Sequence, residues 1–360
     1  MHGKAASNAP PLIVRFAAFG DVVLITTMIE VLYRRYGTPV DLLSSGSWTR
    51  AILADDPRVR HIQLVTSRKT PYPLRPSQWQ AVRWMRRRGR GAVYQCDPEP
   101  KAQWLVEHAG VPRDWIVRAH DFPAPQPMHW TEWWFAIGMR TPPALAGKVP
   151  VPDAADIDAV PRLYVGAAAR ADCQQWLAAR GWQSDPLVLI QAGNKRTLKR
   201  GRMAGAGDNK YWPPQRWAEL ARGVLRQQPT ARVLLTGAPV EHAVVEAIRL
   251  AADSPRVHNL ATDMTVPRLL ALLERAHSMI SVDTGPAHAA AALDCPLTVL
   301  FANADQRWWR PRSRLGHVAV LGGAAGPDSR LIDIEVQAVL AAWSALGGRG
   351  GSWAAPQLIA

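Results

Sequence analysis

The 360 residues carry 43 lysines and arginines against 29 aspartates and glutamates, a net charge of +14, with 48% hydrophobic and 20% charged residues. That balance is globular rather than disordered or fibrous, no apolar run approaches the ~20 residues that span a bilayer, and residues 1–11 lack the apolar stretch of a signal peptide. The length suits two domains and the charge predicts an anionic partner, while three dispersed cysteines (Cys96, Cys173, Cys295) make no zinc motif or disulfide framework and fit a reducing cytoplasm.

Residues 12–16 read as a strand and 17–21 as a tight loop. From Val22, apolar residues at 22, 25, 29, 32, 33 and 36 recur at helical spacing until Gly37 closes the helix. This first strand–loop–helix unit lacks the Gly-x-Gly-x-x-Gly dinucleotide fingerprint. Asp21 stands at the helix start, where carboxylates commonly cap; it is also where open α/β sheets place ligands. Strands follow at 40–43, 61–65 and 92–96, with helices near 48–53, 78–88 and 101–109. Between them Arg68, Lys69, Arg75, Arg83 and the arginines of 86–90 concentrate positive charge, either a solvated helix face or an anion-facing acceptor loop. Residues 128–137 read as a helix with an aromatic face for packing. The Pro-, Ala- and Asp-rich residues 141–162 read as a linker.

The second half repeats the alternation: helix 167–180, strand 187–191, helix 215–226, strand 231–236, helix 266–275, strand 279–282, helix 286–293, strand 296–301 and a closing helix at 334–343. Residues 195–207 are basic, Gly-rich and aperiodic, as in a mobile loop, and Lys210 after it is able to hold a phosphate as a point charge. Glu241 falls in a first helical turn, where acids suit the dipole and also where an acid accepts hydrogen bonds from a ribose. The turn Asp283-Thr284-Gly285 opens a helix at Pro286, and a Gly-containing turn at a helix start presents N–H groups and a positive dipole end to a diphosphate. No Asp-x-Asp metal motif stands in a suitable loop; Asp153, Asp156 and Asp158 lie in the linker.

Four segments then act together: Arg15-Phe16-Ala17-Ala18-Phe19-Gly20-Asp21-Val22-Val23, Asp208-Asn209-Lys210-Tyr211-Trp212-Pro213 before a helix carrying Trp217, Gly237-Ala238-Pro239 with Glu241, and Asp283-Thr284-Gly285-Pro286-Ala287-His288. In this order the chain resembles glycosyltransferase family 9, the ADP-heptose:lipopolysaccharide heptosyltransferases, over about residues 12–301. The resemblance implies an α/β fold of two doubly wound Rossmann-like domains facing a cleft, the glycosyltransferase B type. Its acceptor domain would be 1–150, its nucleotide-sugar domain 151–330, and a C-terminal helix and tail 331–360. It implies inverting, metal-independent transfer with no cofactor beyond an ADP-linked nucleotide sugar. Asp21 is then the base, Lys210 the diphosphate contact, Glu241 the ribose ligand, and Asp283, Thr284, Gly285 and His288 the cradle for donor sugar and phosphates. Gly193 and Asn194 stand where family members often carry small hydroxyl phosphate ligands, and the 195–207 insertion is longer and more basic than in the best-known heptosyltransferases. Both leave the donor's base and sugar open. Gly20, Arg68, Lys69 and Arg75 would face an anionic glycolipid acceptor at the inner face of the cytoplasmic membrane.

The residues agree with that chemistry on their own terms. Direct attack by an acceptor oxygen needs one base, unlike the paired carboxylates of hydrolases. A lysine and helix N–H groups stabilise a leaving diphosphate without a metal. Two other classes compete: a nicotinamide-dependent oxidoreductase, against which the missing fingerprint argues, and a nucleic-acid-binding protein, for which no helix-turn-helix, RNA-recognition or zinc pattern exists. No nucleic-acid partner is expected, and no oligomeric state is assigned.

Overall fold

The computed structural model describes residues 9–66, 75–124, 127–193, 198–199, 202–203, 208–323 and 328–349. The chain divides into two compact units, Met1–Tyr164 and Val165–Ala360.

In the first unit the elements run β1 (Leu12–Val14), α1 (Phe19–Leu24), α2 (Thr26–Tyr36), β2 (Val40–Ser45), α3 (Ser47–Leu53), β3 (Val59–Val65), α4 (Pro76–Arg87), β4 (Val93–Gln95), α5 (Pro100–His108), β5 (Ile116–Arg118) and α6 (Trp130–Gly138). The strands form one parallel sheet ordered β3-β2-β1-β4-β5. Leu12, Ile13 and Val14 are all fully buried, as continuous apolar strands are when helices cover both faces. Leu12, Val14, Phe16, Val93 and Ile116 pack with Ala81, Val82 and Met85 of α4 and Ala102 and Leu105 of α5. Helix α1 begins three residues before the expected start at Val22, because the Asp21 carboxylate accepts the Ala18 N–H at 3.1 Å and closes an earlier turn. It breaks at Ile25, where the Thr26 hydroxyl donates to the Val23 carbonyl at 2.6 Å and competes with the helical ladder. Gly37, at φ +62, ends α2 in the left-handed region that glycine tolerates. Helix α6 starts at Trp130 rather than 128, since the His129 Nδ1 accepts the Thr131 N–H at 3.1 Å.

The boundary differs from the expected one after residue 150. Residues 150–164 are tied into the first unit. The Arg35 Nε donates to the Pro150 carbonyl at 3.0 Å, Arg34 to that of Asp156 at 3.2 Å, and Arg58 to that of Arg162 at 3.0 Å. Arg58 also lies 4.9 Å from the Tyr164 ring centroid. Its own guanidinium is nearly buried and held by Asp56 and Glu30 at 2.7 and 2.9 Å. A segment anchored by buried charge-assisted hydrogen bonds is structure, not linker.

The second unit runs α7 (Ala167–Ala178), β6 (Leu187–Gln191), the two-residue strands β7 (Leu198–Lys199) and β8 (Arg202–Met203), α8 (Pro214–Gln227), β9 (Arg232–Thr236), α9 (His242–Ala252), β10 (Val257–Asn259), α10 (Val266–Arg275), β11 (Ser278–Val282), α11 (Gly285–Ala292), β12 (Leu297–Phe301), α12 (Gln306–Trp309), β13 (Val318–Gly322) and α13 (Val336–Leu346). Its six-stranded parallel sheet is ordered β10-β9-β6-β11-β12-β13, while β7 and β8 pair antiparallel within the basic insertion. The rest of residues 194–207 lies outside the described residues. Helix α13 is part of this unit rather than a tail. Val336, Val339, Leu340 and Trp343 enter the core with Trp217 and Leu220, and the Trp343 indole donates to Ser278 Oγ at 2.8 Å. No helix among the described residues is long and apolar enough to cross a membrane.

Strands β5, β10 and β13 were not expected from the sequence; three-residue strands carry too little alternation to register, and β13 is a half-exposed edge. On β10, His258 sits 4.2 Å from the Trp182 ring and 3.4 Å from the Arg232 guanidinium. Burial first, then the charges of Arg232, Arg180 and Arg249, hold its pKa down at about 4 against an ordinary 6.5. The unfolded chain therefore takes up that proton first as pH falls, and this contribution to stability is lost between pH 6.5 and about 4. The Tm advantage of the wild type over His258→Gln is expected to shrink across that window, measured by thermal melts in matched buffers. Parallel melting curves would remove His258 from the pH dependence.

Candidate active site

In both units the candidate residues follow the carboxyl ends of parallel strands, where open α/β sheets place ligands. In the second unit three neighbouring strands contribute: Glu241 follows β9, Gly193 follows β6, and Asp283 follows β11. Adjacent strands lie about 4.8 Å apart, so these three positions share one short edge of the sheet.

The segment carrying Lys210 is pinned from both sides. The Asp208 carboxylate accepts the Lys210 N–H at 2.9 Å, the Asn209 carbonyl accepts the Leu331 N–H at 2.8 Å, and the Trp212 indole donates to the Ile334 carbonyl at 3.1 Å. Trp212 stacks edge-on against Trp217 at 4.6 Å. From this fixed base the Lys210 ammonium reaches Asp283 Oδ2 at 2.7 Å, both side chains being partly open to solvent. His288 Nε2 stands 4.0 Å from the other Asp283 oxygen. Thr284 is extended, at φ −150, and its hydroxyl meets Ser281 Oγ at 3.2 Å instead of capping α11. The first-turn N–H groups of Gly285 and Ala287 thus receive no side-chain cap, and Pro286 brings none. The Lys210 ammonium, paired with Asp283, thus stands beside an uncapped helix start, the kind of place where anions are favoured.

Glu241 closes a short 3-10 turn, Pro239–Glu241, and is 7% exposed. Its Oε2 accepts the Ala238 N–H at 2.7 Å, while Oε1 is buried with no partner. Burial raises its pKa, against the smaller opposing effect of the Ala238 N–H. Gly193 explains its place. A Cβ on Gly193 would stand 2.1 Å from Glu241 Oε1, so glycine at this position admits the carboxylate.

In the first unit Asp21 lies in the first turn of α1, beside Gly20. Its second oxygen is 3.6 Å from Arg15 Nη2, and both side chains are about a quarter exposed or less. Arg15 is itself placed by the Cys96 carbonyl at 3.2 Å and by the Trp134 ring at 5.4 Å. The loop ahead of Asp21 is held by Asp97, whose buried carboxylate accepts the Phe16 N–H at 2.8 Å. Arg75 is exposed at the start of α4. Arg68, Lys69 and Asn194 lie outside the described residues. Among the described residues no three His, Cys, Asp or Glu side chains gather as a metal site.

Several residues at these strand ends escaped the sequence reading. Arg15 Nε, Gln95 Oε1 and Arg118 Nε are buried and unpartnered at the ends of β1, β4 and β5, and Gln191 and Thr236 end β6 and β9. The available signal was a polar residue terminating an apolar strand.

A family model described as glycosyltransferase family 9 (heptosyltransferase) matches residues 189–331, which include Gly193, Lys210, Glu241, Asp283 and His288. Lipopolysaccharide heptosyltransferase 3 of Escherichia coli is 42% identical over 83 residues, 22% of this chain and 24% of that protein. Lipopolysaccharide heptosyltransferase 1 of Escherichia coli strain K12 is 32% identical over 146 residues, 39% of this chain and 41% of that protein. The chain thus spans less than half the length of these curated relatives. Among solved structures, the E. coli ADP-heptose lps heptosyltransferase II shares the fold with a TM-score of 0.72 at 20% identity, covering 93% of this chain and 98% of that one. Residues 189–331 thus match the glycosyltransferase family 9 pattern, and the two parallel-sheet units share the fold of a solved heptosyltransferase.

Proposed function

We propose that this protein is an inverting, metal-independent heptosyltransferase that moves heptose from ADP-heptose to an anionic lipopolysaccharide-core acceptor. The observation that carries the reading is the Lys210–Asp283 pair beside the uncapped start of α11, one strand from Gly193 and two from Glu241. The relatives are heptosyltransferases of lipopolysaccharide, and one is named for ADP-heptose. In the proposed reaction the acceptor hydroxyl oxygen attacks the anomeric carbon while Asp21 takes its proton. The bond from that carbon to the diphosphate breaks on the opposite side, inverting the configuration. Lys210 and the N–H groups of Gly285 and Ala287 receive the charge that develops on the departing ADP. Glu241 holds the ribose, and Asp283 and His288 position the sugar. Gly20 and Arg75 face the acceptor, with Arg68 and Lys69 of the same basic stretch. The surplus of positive charge supports attraction to anionic headgroups at a membrane surface.

A panel of ADP, UDP, GDP and CDP in thermal-shift measurements tests the donor. ADP at a hundredfold excess over its Kd is expected to add about 2.7 kcal/mol, a rise of roughly 5–10 °C. A larger response to UDP would move the donor to another nucleotide sugar.

A further inference from the structure

Beneath Glu241 lies a buried polar chain that the transfer reaction does not use directly. Gln191 and Thr236 are register partners at the ends of β6 and β9, 5% and 1% exposed. The Thr236 hydroxyl donates to Gln191 Oε1 at 2.8 Å, and Gln191 Nε2 donates to the Gly193 carbonyl at 2.9 Å. Gly193 in turn backs the unpartnered oxygen of Glu241, which a single added methyl would strike. The same hydroxyl stands 3.3 Å from the Ile190 carbonyl; with its proton given to Gln191 Oε1, the amide nitrogen is left facing the Gly193 carbonyl.

We propose that Gln191 and Thr236 are positioning residues: through the Gly193 peptide they hold Glu241 Oε1 where it accepts a hydrogen bond from a sugar hydroxyl of the bound nucleotide. This rests on the reading of the second unit as the nucleotide-sugar site. Buried polar side chains at strand ends are costly unless satisfied, and this pair is satisfied by each other and by the loop.

The test measures ADP binding calorimetrically to the full chain. Thr236→Val keeps the shape and removes the donor, and is expected to weaken ADP about tenfold. Thr236→Ser restores the hydroxyl and is expected to restore affinity. In a Glu241→Ala background, where no carboxylate remains to be positioned, Thr236→Val is expected to cost nothing further. Gly193→Ala is expected to match or exceed the loss from Thr236→Val. A lower Tm with unchanged ADP affinity in Thr236→Val would overturn the proposal, as would an equal loss in the Glu241→Ala background. A wild-type protein that binds no ADP removes the nucleotide reading itself, and the positioning role with it.

Discussion

Asp21→Asn is expected to lower kcat for sugar transfer by about a hundred- to ten-thousandfold, the range of a lost general base. Asparagine is the informative replacement because its amide oxygen can still accept the Ala18 N–H that closes the first turn of α1. The fold of the loop then survives while proton acceptance is lost. Arg15 matters to this result. Its guanidinium, 3.6 Å from the carboxylate and held by the Cys96 carbonyl, helps keep Asp21 in place. ADP affinity is expected to stay at the wild-type value, since the proposed nucleotide ligands all belong to the second unit. Steady-state rates with ADP-heptose, alongside ADP calorimetry, separate the two effects. Turnover within a factor of a few of the wild type would remove Asp21 as the base.

Lys210→Ala is expected to cost about a hundred- to a thousandfold in kcat/KM, the size seen when one preorganised donor to developing charge is removed. The ammonium is held by a pinned loop, and its present partner, Asp283 at 2.7 Å, marks where an anion is favoured. Arginine at this position is not expected to rescue activity, because a planar fork does not occupy the place of a compact point charge. Binding of ADP and of adenosine distinguishes a phosphate contact from damage to the fold. ADP affinity should fall, while adenosine, which has no phosphate, should bind as in the wild type. Equal losses for both would show that Lys210 supports the loop and not the diphosphate.

The two strands that carry the loop of Asp21 and the turn of Asp283 were legible because each is a short apolar run cut off by a Gly-containing turn and followed by helical spacing. The basic stretch around Arg68 and Arg75 was legible only as charge, since density of arginine does not say what faces it. Helix starts were misplaced by two or three residues wherever a side chain closed an earlier or later turn, as Asp21 does for α1 and His129 for α6. The boundary between the units lies later than composition suggests for a related reason. Pro, Ala and Asp between 141 and 162 look like a linker by composition, but buried Arg35 and Arg58 bind that backbone to the first unit.

Taken by itself, the sequence determined the α/β alternation, the two-domain plan and the identity of the strand-end turns, because periodicity, capping and turn chemistry act within a few residues of the backbone. Only the tertiary structure decided that Lys210 meets Asp283 across 73 residues and that Gly193 makes room for Glu241. It alone linked Thr236 to Gln191 across 45 residues. Those meetings depend on strand order, β9 beside β6 beside β11. Strand order is set by how whole helices and strands pack against one another, which no local pattern in the chain records.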